Sequence, residues 1–230
     1  MQNTLRSLIQ SGWQSNPAMH KIISDYAKYH AALVIAGGLF TLILISLSVF
    51  FWIKFKKIPK TGKFKWIFEK KVYFSFGLLS GIVALCMTLI VAANATNAFN
   101  PLHGFSLLID DLTPSSYSVQ LHHAYNDWIQ SGSSTLPTLI EQHIHRRVIF
   151  HTTKAIVCGI LIIVFTALSI PLWRTLIKKP NASETKWRLK EKTFFVAGIA
   201  TVALSLLMMI IVVANLQGAI APIALTLLFG

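Results

Sequence analysis

Four stretches of this chain, residues 31–53, 72–93, 155–173 and 193–215, contain no Asp, Glu, Lys or Arg. Each is about 19–23 residues long, close to the ~20 that a helix needs to cross ~30 Å of hydrocarbon. Inside a bilayer every backbone N–H and C=O must find a partner within the protein, and a helix supplies one within a single segment. The pattern predicts an all-α membrane protein with four transmembrane helices. Composition agrees: 54% hydrophobic, 13% charged and a mean hydropathy of +0.60 are too apolar for an ordinary soluble domain.

The formal net charge of +13 would suit nucleic acid, but its placement argues for a membrane surface. Residues 54–71 hold eight Lys, residues 174–192 hold seven Lys or Arg, and the rest of the chain holds six. The positive-inside rule puts both basic loops in the cytoplasm of a multi-pass protein of the cell membrane, facing anionic lipid headgroups. Both termini and residues 94–154 then lie outside, and no nucleic-acid partner is expected. The first 30 residues have mixed polarity and no signal-peptide pattern is expected there.

The two halves of the chain also resemble each other. At an offset of 121, Trp52 aligns with Trp173, Pro59 with Pro180, Lys65 and Trp66 with Lys186 and Trp187, Gly77 with Gly198, Asn94 with Asn215 and Pro101 with Pro222. Across 44–101 there are 18 identities in 58 ungapped positions, where apolar composition alone would yield about five or six. Upstream, Ile9–Gly12 aligns with Ile129–Gly132 and Pro17 with Pro137 at offset 120, and His30 aligns with His151. The pattern predicts a tandem duplication, with repeats at 1–115 and 116–230. Two spans per unit is an even number, so both units insert in the same orientation. The result is a parallel repeat with a pseudo-twofold along the membrane normal.

Each repeat reads as an outer polar segment, an amphipathic stretch, a span, a basic loop, a second span and a short apolar tail. The amphipathic stretches are 17–30 and 136–152, the second with Leu139, Ile140, Ile144 and Val148 near helical spacing. The tails after spans 2 and 4 are too short to cross; they are expected to lie at the outer surface, cover the bundle or meet a partner. Residues 110–135, rich in Ser, read as a linker. Trp52, Trp66, Trp173 and Trp187 fall where indoles anchor at the interface. Gly77 and Gly81 form a GxxxG on span 2, and Ala197, Thr201 and Ser205 a looser small-residue line on span 4. These favour spans 2 and 4 as the central pair of a four-helix bundle.

Chemistry-bearing residues are sparse. His30 and His151 are related by the repeat and sit at the outer ends of spans. Facing each other across the axis they would be metal or haem ligands; otherwise each is a polar cap at headgroup level. Asn94 and Asn215 are the repeated polar pair, either bonding across the axis or capping helix C-termini. Asp110, Asp111, His122 and His123 form the one cluster of acids and bases. Cys86 and Cys158 differ in depth by about 5–6 Å and read as packing residues. Pro171 is a possible kink in span 3 without a counterpart in span 1. No cofactor is identified, and no span carries an ionisable residue in its middle.

The expected function follows from what is present: a membrane protein without an evident catalytic site, acting through contacts. It would be an accessory subunit of a membrane transport or secretion complex, or an immunity-type protein, with a protein partner or as a homo-oligomer. A small oligomeric transporter or channel is the alternative, and a metal or haem protein using the outer histidines the second. The topology carries a test. Gly62→Cys should react with impermeant thiol reagents only after the cells are opened, and Ser133→Cys should react in intact cells; the reverse pattern would invert every assignment of sides.

Overall fold

In the computed structural model, residues 1–59, 67–109, 119–178 and 188–229 are described. Trp66, Trp187, Asp110 and Asp111 lie outside them, as do the central parts of both basic loops. The described residues are helical: α1 (Gln2–Ser11), α2 (Pro17–Lys57), α3 (Phe68–Phe99), α4 (Pro101–Leu108), α5 (Val119–Ser131), α6 (Thr138–Ile177), α7 (Leu189–Ile220) and α8 (Pro222–Phe229), with a 3-10 turn at Trp13–Ser15. α2, α3, α6 and α7 are each long and apolar enough to cross a membrane, as a multi-pass membrane protein requires.

These helices outrun the apolar runs. The 41 residues of α2 span about 60 Å, twice the thickness of hydrocarbon. The stretches 17–30 and 138–152 are therefore the first turns of α2 and α6 rather than separate helices. Prolines mark the breaks. Pro101 opens α4 after Asn100, whose φ of −126° and ψ of 67° are non-helical, because a residue preceding proline is driven out of the helical region. Pro222 opens α8 in the same way. Gly12, at φ 105°, and Gly132, at φ 63°, follow α1 and α5, where the left-handed turn costs glycine nothing.

The chain divides into two compact units, and the four long helices contribute to both. The second unit comprises Gly37–Leu89 and Ile156–Val212. Within it α2 and α3 meet closely. Ser48 donates to the Gly77 carbonyl at 2.9 Å. A Cβ on Gly77 would lie 3.3 Å from the Trp52 indole nitrogen, and one on Gly81 would lie 3.1 Å from the Ser48 hydroxyl. The GxxxG face thus receives span 1, not span 4. Buried Lys70 donates to the Ile58 carbonyl at 2.6 Å, satisfying an acceptor left over at the end of α2. On the other side Trp173 donates to the Gly198 carbonyl at 3.3 Å, and a Cβ on Gly198 would sit 2.9 Å from the Trp173 ring. The close approach on span 4 is made at Gly198, next to Ala197. Leu44, Ala84, Met87 and Met209 form a shared apolar cluster, so spans 2 and 4 do meet, one or more turns away from the glycines.

The outward faces of this unit are apolar. Ile163 is 70% exposed, Leu89 64% and Leu85 63%, a distribution suited to lipid rather than water. Several hydroxyls here turn back onto their own helix, Thr41 to the Gly37 carbonyl, Thr88 to Ala84 and Ser205 to Thr201, each at 2.8 Å, which satisfies them in an apolar setting. Thr201 bonds the Gly198 carbonyl at 3.0 Å in the same way. Pro171 lies inside α6, and Thr175 donates to its carbonyl at 2.8 Å. Cys86 and Cys158 are free thiols.

The first unit comprises the described residues of Met1–Ala36, Ile90–Ala155 and Val213–Gly230. It has a core of its own, drawn from α1, α2, α4, α5, α6 and α8. Leu5, Tyr26, Phe105, Tyr125, Trp128, Ile129 and Ile140 are at most 2% exposed, and each such large side chain contributes about 1.5–3 kcal/mol by burial. Two expectations change here. The stretch read as a linker contains α5, which buries Leu121, Tyr125, Trp128 and Ile129, an i, i+4, i+7, i+8 face. The short tails, α4 and α8, bury Phe105, Ala224 and Leu227 in this core instead of lying on a surface. Asn16 joins two elements: its amide donates to the Ile129 carbonyl at 2.9 Å near the end of α5, and its carbonyl accepts the Met19 N–H at 3.0 Å, capping α2.

Gly198→Leu should displace Trp173 and destabilise the protein by about 1–3 kcal/mol, read as a lower melting temperature in detergent. Ala200→Leu, at an exposed position of the same helix, should leave it unchanged.

Candidate functional site

The polar residues that the sequence singles out collect in the first unit as two local pairs. His30 Nδ1 lies 2.6 Å from Asn94 Oδ1, and His151 Nδ1 lies 2.9 Å from Asn215 Oδ1. Each histidine faces the asparagine of its own half. Neither asparagine is a helix C-cap, since α3 continues to Phe99 and α7 to Ile220. They sit one to two turns inside, where a polar side chain reaches the neighbouring helix.

The Asn94 amide orients the His30 ring. Its Nδ2 donates to the Ile90 carbonyl at 2.8 Å, so Oδ1 is the atom turned to His30. A carbonyl oxygen only accepts, so His30 Nδ1 carries the proton and, in the neutral ring, Nε2 holds a lone pair. His30 is buried, 8% exposed, and Nε2 has no hydrogen-bond partner among the described residues. The ring is held edge-on by Tyr26 and Tyr29, with centroids at 4.4 and 5.3 Å. His151 is packed differently: a Cβ on Gly218 would lie 2.8 Å from its ring, so α7 passes close against it. Among the described residues no three His, Cys, Asp or Glu side chains converge as metal ligands would.

Around these pairs runs a buried polar seam. Asp25, 6% exposed, accepts the Ala224 N–H at 2.8 Å. Ala224 is the third residue of α8, so the carboxylate caps a helix N-terminus from another element and meets the positive end of its dipole. Arg147 donates to the Leu225 carbonyl at 3.1 Å, and Gln217 to the Tyr29 carbonyl at 3.1 Å. The Tyr26 hydroxyl lies close against α4: a Cβ on Gly104 would be 2.9 Å from it. Tyr125 lies near Asp25 and Arg147, and burial, reinforced by Asp25, pushes its phenol up. It stays a neutral hydroxyl at every physiological pH. His122 on α5 is held low, chiefly by burial and then by the N-terminal amine and His123; it is neutral at pH 7. The acidic half of the Asp110–His123 cluster lies outside the described residues.

The arrangement can cross-brace helices. Its hydrogen bonds run between elements far apart in the chain, from Ala224 to Asp25, from Gln217 to Tyr29 and from Arg147 to Leu225. Sequence reasoning found His30, His151, Asn94 and Asn215 individually but missed their pairing, and it missed Asp25, Arg147 and Gln217. The signal available for the pairing was the identical separation of 64 residues in both halves. The interfacial tryptophans Trp52 and Trp173 are placed against Gly77 and Gly198, inside the second unit. The chain matches no protein-family model, no curated protein and no solved structure.

His30→Phe keeps the ring packing and leaves Asn94 Oδ1 without its donor. The melting temperature should fall by the equivalent of about 1–3 kcal/mol, and amide exchange should quicken around residues 90–99 ahead of the rest of α3.

Proposed function

We propose that this chain is a duplicated integral membrane protein that works through contacts, as an accessory subunit of a membrane transport or secretion complex or as an immunity-type protein. The duplication is supported by the recurrence of elements at one interval. α3 and α7 are both 32 residues long, and α4 and α8 are both eight, each opening on proline. The Trp–Gly approaches and the His–Asn pairs recur as well. On this reading the repeats 1–115 and 116–230 are parallel, related by a pseudo-twofold along the membrane normal. The first unit then lies outside the cell membrane with both termini, and the basic loops 54–71 and 174–192 lie in the cytoplasm against anionic lipid.

The observation that carries the contact reading is at the α3–α4 corner. The outer segments bury most of their apolar surface against one another, so they no longer require a partner as a group. Phe99 and Leu107 are exceptions, 90% and 65% exposed, and with exposed His103 between them they recur every four residues. An aromatic and an aliphatic side chain left uncovered beside a well-packed core suit a protein contact.

Native mass spectrometry of the protein gently extracted from its own membrane tests this. A second polypeptide at fixed stoichiometry is expected, and Phe99→Asn combined with Leu107→Asn should release it. A lone chain or homo-oligomer conducting solute in liposomes would replace this reading with a transporter or channel. One carrying haem or metal mass would replace it with a site on His30 and His151.

A further inference from the structure

We infer that the second unit holds a specific site for one anionic phospholipid, in a slot between α3 and α7. The slot has a volume of about 480 Å³, within the range of small-molecule pockets. One wall is α3 from Phe68 to Leu79 and the other α7 from Phe195 to Leu206, with Trp173 of α6 at the back. Eleven residues of helix rise about 16 Å, half the ~30 Å hydrocarbon thickness and so the depth of one leaflet.

Three features select this occupant. The first is width. The volume spread over that depth leaves a slot less than about 10 Å across, too narrow for a helix of 10–12 Å diameter and wide enough for extended acyl chains. The second is a rigid interior. Trp173 meets Phe76 edge-on at 4.8 Å and Phe195 at 5.8 Å, and its indole N–H is held by the Gly198 carbonyl. Phe68 and Phe195 close the end at 6.4 Å. A lining of fixed aromatic rings has little rotamer freedom to lose when a chain settles against it. The third is charge. Lys71 is the cation among the described lining residues, and it is exposed. Its neighbour Lys70 is committed to the Ile58 carbonyl and the Phe55 ring. An exposed ammonium at the end of an apolar slot complements a lipid phosphate above its acyl chains. This site is independent of the contact reading above and would be present whether or not a protein partner exists.

The full chain is reconstituted in nanodiscs of phosphatidylglycerol and phosphatidylcholine with identical acyl chains, then released and weighed by native mass spectrometry. One phosphatidylglycerol per chain should survive release. Ala203→Trp, which fills the slot from α7, should cut its retention at least tenfold. Lys71→Gln should leave a lipid bound but reduce the preference for phosphatidylglycerol about fivefold, the worth of one lysine beside an anionic headgroup. If Ala203→Trp does not elute as the wild type does, Ala203→Leu takes its place. Equal retention by the wild type and a well-folded slot variant would overturn the inference. So would an undiminished preference in Lys71→Gln, or a polypeptide found seated between α3 and α7.

Discussion

A backbone amide without a partner in hydrocarbon costs several kcal/mol, and every other feature of this protein is arranged around that constraint. It forces the apolar runs into unbroken helices. It moves three of the proline breaks to Pro17, Pro101 and Pro222, outside the apolar runs. It also sends the hydroxyls of Thr41, Thr88 and Ser205 back to their own carbonyls. Where one helix must approach another, the approach is made at glycine. Gly77 and Gly198 let an indole lie on the backbone, and at Gly77 and Gly198 the exposed carbonyl also becomes an acceptor for a neighbouring helix, from Ser48 and Trp173 respectively. Close packing and hydrogen bonding are thereby supplied by the same residues, as is usual where the hydrophobic effect cannot drive helices together.

The first unit obeys a different rule. Its core is large, aromatic and fully buried, as in a water-exposed domain, and side chains of its polar seam reach between elements. Asp25 fills a backbone valence that the start of α8 leaves open, and Arg147 and Asn16 add bonds to the Leu225 and Ile129 carbonyls. Short helices such as α4 and α8 are marginal alone; here α8 is capped by Asp25 of α2 and α4 is held by Phe105 in the core.

The four long apolar helices and the breaks near proline were legible in the sequence because each rests on local pattern: charge-free length and a fixed φ. What was not legible depended on register in space. The GxxxG at Gly77 announces a close neighbour without naming it, and α2, adjacent in the chain, takes the place expected of α7. Asn94 and Asn215 read as caps or as bonding across the axis because the apolar runs end near them, whereas the helices continue past them to Phe99 and Ile220. α5 was concealed by its flanks. Its apolar residues 121, 125, 128 and 129 are correctly spaced, but the serines and histidines around them lower the average below what a core helix shows.

The composition of the first unit also governs how the chain can be made. Its core joins Leu5 in α1 to Leu227 in α8, nearly the full length of the chain. Contacts of such sequence separation are slow to form, because loop closure precedes the reward. Synthesis delivers α1 long before α8, so the early helix must wait with its apolar face uncovered while four helices are threaded into the bilayer. Completion of the core thus waits for α8. A polypeptide stalled or truncated short of residue 222 would present an open core to chaperones and proteases.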